Sequence, residues 1–574
     1  MLRRAAETAG PLFSGMLVYV CRARCTGWGR RGRGRLSAVV PPGSQTRAAA
    51  APERGTGHLV RSAGIVMGSF ILAKLLGLAR EVLLARQFGL SGEMDAYDAA
   101  FNLPDLLFTL IAGGALVSVL IPVLSDYLTT GDRDGAWRLA SAVANLSFLV
   151  TAVLALAAII AADALVAQLI APGFEPEKRH LTAGLMRLIL VSTAIFALSG
   201  VATGVLHAHQ HFTLPALSPV LYNLGIIGGL LGLVPYLGVY GLAWGVVAGA
   251  TLHLLVQVPA LVRHGLRYRP VLGLDDPGVH RLLRLLGPRI LTLGVVKINA
   301  VVATNVASRV GEGTVAALNY GWQVMQLPET VFATAIATAV FPTLAELADR
   351  HDQQALRRVV AGTLRALLAL TLPATVGMLA LAQPVVRLML ERGEFTAEST
   401  RLVTAAVQGY AAGLLGHSAL EIATRIFYAQ HDTRTPLFVA AGAMLAHAIF
   451  SVWWGLTWGA PGLALANAAA VSLEAGGLLL VARRRLGGLE EGRFGAALVR
   501  VVAATLIMSL VLFALLRSPA GTAHPVAALG AGLLAGLVYL GAVLALGLEE
   551  GRALLTMARH RVRSLLPVPA QPGA

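Results

Sequence analysis

The sequence predicts an all-α membrane protein: fourteen transmembrane helices, arranged as two six-helix lobes that are parallel repeats of one another, plus two extra C-terminal helices. Three observations carry this expectation. Of 574 residues, 56% are hydrophobic and only 13% charged, where a soluble domain carries about 25% charged residues. Apolar runs long enough to cross a bilayer recur along almost the whole chain. The chain also matches itself at an offset of 220–224 residues.

Fourteen apolar segments follow one another, at 60–88, 97–126, 137–171, 181–206, 213–235, 238–262, 288–309, 314–347, 356–386, 399–430, 436–457, 460–482, 494–516 and 525–548. Each can cross a hydrocarbon core of about 30 Å as a helix. Helix is required, because lipid offers no partner to an open backbone. Loops after even-numbered segments, with the C-terminal tail, hold twenty Arg and Lys, and loops after odd-numbered segments hold five. That bias predicts both termini on the cytoplasmic side.

Residues 1–57 differ from the rest. They hold ten arginines, both cysteines (Cys21 and Cys25) and one apolar patch, Leu12 to Val20, too short to span a bilayer. A disordered basic tail, a mis-started segment and a signal peptide are the open readings. With no cysteine beyond Cys25, the membrane part can hold no disulfide and no cysteine metal site. The net charge of +16 does not indicate nucleic acid, since the basic residues lie in short clusters between apolar runs. Arg accounts for 43 of the 46 basic residues, so the three lysines, Lys74, Lys178 and Lys297, stand out.

The repeat is carried by four matches in order. Leu103-Pro104-Asp105 and Pro122 match Leu327-Pro328-Glu329 and Pro342. Leu206 to Pro215 matches Phe427 to Pro436. Lys74 corresponds to Lys297 and Arg86 to Arg309. The offset spans six helices, an even number, so orientation is preserved and the halves are parallel. The predicted units are an N-lobe at 58–270, a C-lobe at 271–487, segments 13 and 14 at 488–550, and a basic tail at 551–574. Two facing lobes are the architecture of an alternating-access transporter.

The residues then resemble a known family. Lys74-Leu-Leu-Gly77-Leu-Ala-Arg80-Glu81, Ala85-Arg86-Gln87-Phe88-Gly89, Asp95-Ala96-Tyr97 and Leu103-Pro104-Asp105-Leu106-Leu107 are similar to the opening of the lipid II flippases, the MurJ/MviN family. The likeness continues through His207-Ala208, Pro215-Ala216, Ser218-Pro219 and Asn223, then Glu391-Arg392-Gly393-Glu394-Phe395-Thr396, Arg425-Ile426-Phe427-Tyr428-Ala429 and Asp432-Thr433-Arg434-Thr435-Pro436. The resemblance implies the fold of the multidrug/oligosaccharidyl-lipid/polysaccharide exporters. It also implies transport of the lipid-linked peptidoglycan precursor from the inner to the outer leaflet of the cytoplasmic membrane. The chain departs from the family pattern at Phe108, where a basic residue is usual, at Gly113, where an acidic one is, and at Gln323, where arginine is. Lys74 replaces arginine, Glu81 replaces aspartate, and His447 and Ser451 stand where some members carry a sodium-site carboxylate.

A charge at mid-bilayer costs about 2.5–3.5 kcal/mol on insertion scales, so each needs a partner or water. Lys74 and Glu81 are two turns apart on one stripe of segment 1, with Gly77 between them. Lys74 and Arg80 suit a pyrophosphate; an ion pair that only fixes the helix is the alternative, above all for Glu81. Asp95 and Glu81 are counted with Lys74 and Arg80 among the expected substrate-binding residues; Asp95 otherwise caps segment 2 or pairs across the lobes, with Asp98 and Gly77 as gating or hinge residues. Pro104 and Pro328 are expected to kink segments 2 and 8. Lys297 is expected to flank the cargo with Lys74 from the opposite lobe, both facing a wet cavity; neutralising a carboxylate is the other reading. Gln323 completes the expected substrate wall. Glu421 and Arg425, four apart, suit a structural pair. His207, His209 and His211 offer only a weak metal reading.

No Walker loop or metal constellation is present in the sequence, so no ATPase or metal hydrolase is supported, and no cofactor or metal is expected. The competing functions are export of another lipid-linked oligosaccharide or of drugs in the same fold, and a many-helix glycosyltransferase with Asp95 as its catalytic acid. The expected partners are lipid II, membrane lipids and cell-wall synthesis machinery, for a monomeric chain that is not an enzyme.

Overall fold

The computed structural model describes residues 56–518 and 524–547. Nearly all of the predicted N-terminal segment and the whole basic tail lie outside them. The described residues form helices at all fourteen predicted places. In chain order these are α1 (Thr56–Phe88), α2 (Gly92–Thr129), α3 (Arg133–Ile160), α4 (Pro176–Ala208), α5 (Thr213–Gly232) and α6 (Tyr240–Arg263). Then come α7 (Pro277–Ala307), α8 (Thr314–Asp349) and α9 (Gln353–Leu390), and α10 in two pieces, Ala397–Ala411 and Leu414–Ala429. The series ends with α11 (Arg434–Trp458), α12 (Ala460–Arg485), α13 (Glu491–Arg517) and α14 (Pro525–Ala545). Eleven of these, all but α1, α7 and α10, are long and apolar enough by themselves to cross a membrane.

Local chemistry sets the ends. Asp132 and Asp352, at equivalent places in the repeat, cap α3 and α9 by accepting from Gly135 N at 2.7 Å and Ala355 N at 2.9 Å. Asp276 caps α7 through Gly278 N at 2.8 Å, which starts that helix well before residue 288. Its first turns, Val279 to Leu286, alternate charged and apolar residues and therefore escape a hydropathy criterion. Segment 3 reaches its expected end at Ile170 but is broken after Ile160. Its last stretch is a short helix, Ala162–Leu165, and a wide π turn, Val166–Ile170.

The same neighbours recur six helices on. In the first half α1 packs on α5, α3 and α6 pack on α4, α5 packs on α6, and α2 packs on α4; in the second half α7 packs on α11, α9 and α12 on α10, α11 on α12, and α8 on α10. Glycines make the α5–α6 seam, where Gly225 and Gly229 face Gly249 and Gly245 so closely that an added Cβ would meet backbone. α13 and α14 pack on each other and on α9, with Tyr539 donating to the Ala369 carbonyl at 2.5 Å and Arg365 paired to Glu490 at 3.1 Å.

The irregularities repeat too. α2 is interrupted at Phe101 and widens into a π turn at Phe108–Ala112, and α8 does the same at Thr330–Thr334. Both turns follow the matched prolines, Pro104 and Pro328, which lack the N–H a regular helix needs. The wide turns stand at the places where kinks were expected.

Candidate functional site

The charged side chains gather where α1, α2, α7 and α8 meet. At the end carrying the α1–α2 turn, Asp95 is fully buried. Its Oδ2 accepts from Lys178 Nζ at 2.7 Å and from Gly313 N at 2.7 Å, and its Oδ1 accepts from Ala316 N at 2.9 Å. Gly313 and Ala316 open α8, so a carboxylate of the first half caps a helix of the second, where the helix dipole also favours an anion. Ser91 takes the capping of α2 itself, accepting from Met94 N at 3.3 Å. Around this knot the halves touch through backbone amides. Glu394 N donates to Arg86 O at 2.9 Å, and Gly173 N donates to Ser308 Oγ at 3.0 Å. Gly89 and Gly393, both left-handed at φ +56° and +61°, sit against Glu394 and Arg86 with no room for a Cβ.

Further along α2, Asp98 Oδ1 accepts from Asn319 Nδ2 of α8 at 2.8 Å, and Asp98 Oδ2 is buried with no hydrogen bond among the described residues. Gln323 donates weakly to Asn319 at 3.4 Å. Lys297 of α7 pairs with Asp105 of α2, and Asn102 donates to Thr304 at 3.1 Å. On α1, the Arg80 guanidinium engages Glu81, with Nε at 3.1 Å from Oε1, and Glu81 is 6% exposed. Lys74 is exposed and forms no ion pair among the described residues.

The two ends of this region differ. The first parts of α2 and α8 pack on each other. The later parts, beyond the π turns, do not form a packed pair, and α1 lies on α5 without packing on α8.

Several sequence expectations change. Arg80 folds back onto its neighbour Glu81, whose burial demands a counter-charge. Both Asp95 oxygens are occupied by donors and the residue is fully buried in this state. Lys297 does not stand unpaired in a cavity but neutralises Asp105. At Gly77 an added Cβ would make ordinary van der Waals contact with the Asn223 amide of α5 at 3.9 Å, so helix packing does not require a glycine there. Gln323 has only the weak bond to Asn319. Pro104 and Pro328 each precede a wide turn. Glu421 and Arg425 pair as expected. His209 stacks on Trp137 and His264, and no set of three metal-binding side chains occurs among the described residues.

His447 is 3% exposed and meets Ser451 at 3.2 Å, a donor pair without a carboxylate, whereas hard cations want oxygen anions and carbonyls. Phe108 turns its ring onto Phe196 at 5.1 Å, filling the basic position with an aromatic contact.

Sequence reading missed Asp105, Asn319 and Lys178 as partners. The scarcity of lysine was the available signal: two of the three lysines hold aspartates of α2.

This arrangement, two parallel helical halves around a charged seam closed at one end, is that of the exporter fold. An inward-facing multidrug transporter of the MATE family matches with a TM-score of 0.62 at 17% identity, over 74% of this chain and 98% of that one. A lipid II flippase MurJ in an inward closed conformation matches with a TM-score of 0.72 at 25% identity, over 87% of this chain and 99% of that one. The family model described as "Lipid II flippase MurJ" matches residues 84–529. The lipid II flippase MurJ of Burkholderia cenocepacia is 30% identical over 79% of this chain and 89% of its own. The probable lipid II flippase MurJ of Rhizobium meliloti is 31% identical over 88% and 96%. The chain belongs to the MurJ family of multi-pass membrane proteins.

Proposed function

We propose that this chain flips lipid II, the lipid-linked peptidoglycan precursor, from the inner to the outer leaflet of the cytoplasmic membrane by alternating access. With both termini cytoplasmic, the Asp95 knot lies at the outer face, and the state described is closed outward and unsealed between α1 and α8. The single observation that carries the reading is this asymmetry around a basic centre: a bonded outer closure above Lys74, Arg80 and Lys297. Lys74 is the free cation that receives the pyrophosphate first. Arg80 and Lys297 are held by carboxylates and join by exchanging Glu81 and Asp105 for the cargo. Asp98 and Asn319 are the next bond across the halves to break when the outer face opens, with Pro104 and Pro328 as hinges. The two lobes, 58–270 and 271–487, move against each other. α13 and α14, carried on α9, form the groove for the long lipid tail. The chain acts as a monomeric carrier rather than an enzyme, in contact with membrane lipids and the cell-wall synthesis machinery.

Depletion of the protein from a cell with no redundant flippase tests this. Lipid II accumulates in the inner leaflet if the reading holds; unchanged labelling of lipid II on the outer face contradicts it.

A further inference from the structure

The repeat sets two acid–base pairs at equivalent stations, and only one is joined. Lys297 of α7 corresponds to Lys74 of α1, and Asp105 of α2 to Glu329 of α8. Lys297 and Asp105 meet across the α7–α2 seam, where α7 packs along α2. Their counterparts stand on α1 and α8, two helices that form no packed pair. Lys74 is exposed, Glu329 is half-buried, and neither has a hydrogen bond or ion pair among the described residues.

The two stations lie at one depth. Lys74 precedes the end of α1 at Phe88 by fourteen residues, about 21 Å at 1.5 Å per residue. Glu329 follows the start of α8 at Thr314 by fifteen, about 22 Å from the same face. Above Lys74, α1 is already docked through the buried Leu84, Ala85 and Phe88. Below it, Ile65, Met67, Phe70, Ile71 and Leu72 are all exposed, and α1 is held there by α5 rather than by α8. The charge nearest in kind to Glu329 is unhelpful: Glu421 acts on it electrostatically, and Arg425 is already engaged by Glu421. A carboxylate at membrane depth with a like charge beside it and no cation calls for a partner in another state.

We propose that Lys74 and Glu329 join when the α1–α8 seam closes, repeating at that seam the bond that Lys297 and Asp105 make at the other. In the empty carrier this pair neutralises both groups. A pyrophosphate on Lys74 displaces Glu329 by charge repulsion, so the cargo itself keeps the seam open until the head group has moved inward. The proposal rests on the alternating-access reading, but its test does not depend on which cargo is carried.

The test uses the full chain with Cys21→Ser and Cys25→Ser, carrying Lys74→Cys with Glu329→Cys, in native membranes treated with a short bifunctional thiol reagent. Lys297→Cys with Asp105→Cys is the reference pair. The expected result is an intramolecular crosslink for both pairs. A 74/329 pair that stays at the level of its single-cysteine controls overturns the proposal, whatever the reference pair does. If the double variant does not reach the membrane, a photo-crosslinking amino acid at Glu329 replaces it; capture of α1 around Lys74 supports the pairing, and capture that never includes α1 overturns it. Absence of lipid II transport by the chain with Lys74 and Glu329 intact, alongside a retained crosslink in the cysteine pair, would sink the cargo reading and leave the seam intact.

Discussion

Asp95 of α2 caps α8 of the opposite half, with Oδ2 2.7 Å from Gly313 N and 2.7 Å from Lys178 Nζ. A fully buried carboxylate survives only because three donors and a helix dipole replace water. Removing one member of a buried pair costs about 3–5 kcal/mol, and every 1.4 kcal/mol is about a tenfold change in an equilibrium. Asp95→Ala is therefore expected to shift the carrier toward the outward-open state by more than about a hundredfold. Labelling of Ser308→Cys by an impermeant thiol reagent reads the shift. Unchanged labelling at equal membrane abundance would show that the knot does not hold the closure.

The lysines separate cargo binding from stability. Lys74 is unpaired, and Lys297 pairs with an Asp105 side chain that is itself 47% exposed, so screening keeps the stability cost of losing either small. Lys74→Ala and Lys297→Ala should each reach the membrane at wild-type levels and yet fail to complement at limiting expression. Lys74→Arg should restore Lys74→Ala, since a guanidinium also suits a pyrophosphate. Full complementation by Lys297→Ala would leave the site to Lys74 and Arg80 alone.

The fold was more legible than the site, for a physical reason. Lipid imposes a crude filter on composition and length, so all fourteen helices could be placed from apolar runs. The filter fails where a helix begins amphipathically, as at Pro277, or widens without losing hydrophobicity, as at Val166–Ile170. The site depends on which side chains meet across the halves, and spacing along one helix says nothing of that. Lys74 and Glu81 share a stripe, yet Glu81 takes its own neighbour Arg80. Asp95 had two open readings because a cap and a cross-half bond look alike in sequence; here the residue does both, for a helix not its own. The lysine scarcity marked the right residues but not their partners.

The turn between α10 and α11 carries a pH signature. Burial alone would raise the Asp432 carboxyl, but hydrogen bonds from the Thr435 side chain and amide and from Arg485 outweigh it and hold it below the usual carboxylate range. A carboxyl lowered by folding adds stability that is present above its unfolded value and lost as pH falls through its folded one. Asp432→Asn should therefore lower the thermal midpoint of the detergent-solubilised protein at pH 7. The gap to wild type should begin to close below about pH 5. A gap independent of pH would mean that Asp432 acts through shape alone.

α13 and α14 touch the rest of the molecule chiefly through α9. Deleting residues 490–550 should leave both lobes inserted, because none of their repeated helix pairs is removed. Transport should be lost, read as failure to complement with normal membrane abundance of the truncated chain. Retained transport would mean that the lipid tail does not need this groove.

The central claim is that the basic centre carries the lipid II head group across the membrane. Its most direct measurement is the rate at which labelled lipid II changes leaflet in vesicles containing the purified protein. The account predicts a rate well above that of protein-free vesicles, falling to that background with Lys74→Ala. Crossing at the protein-free rate by the intact chain, or at an undiminished rate by Lys74→Ala, would contradict it.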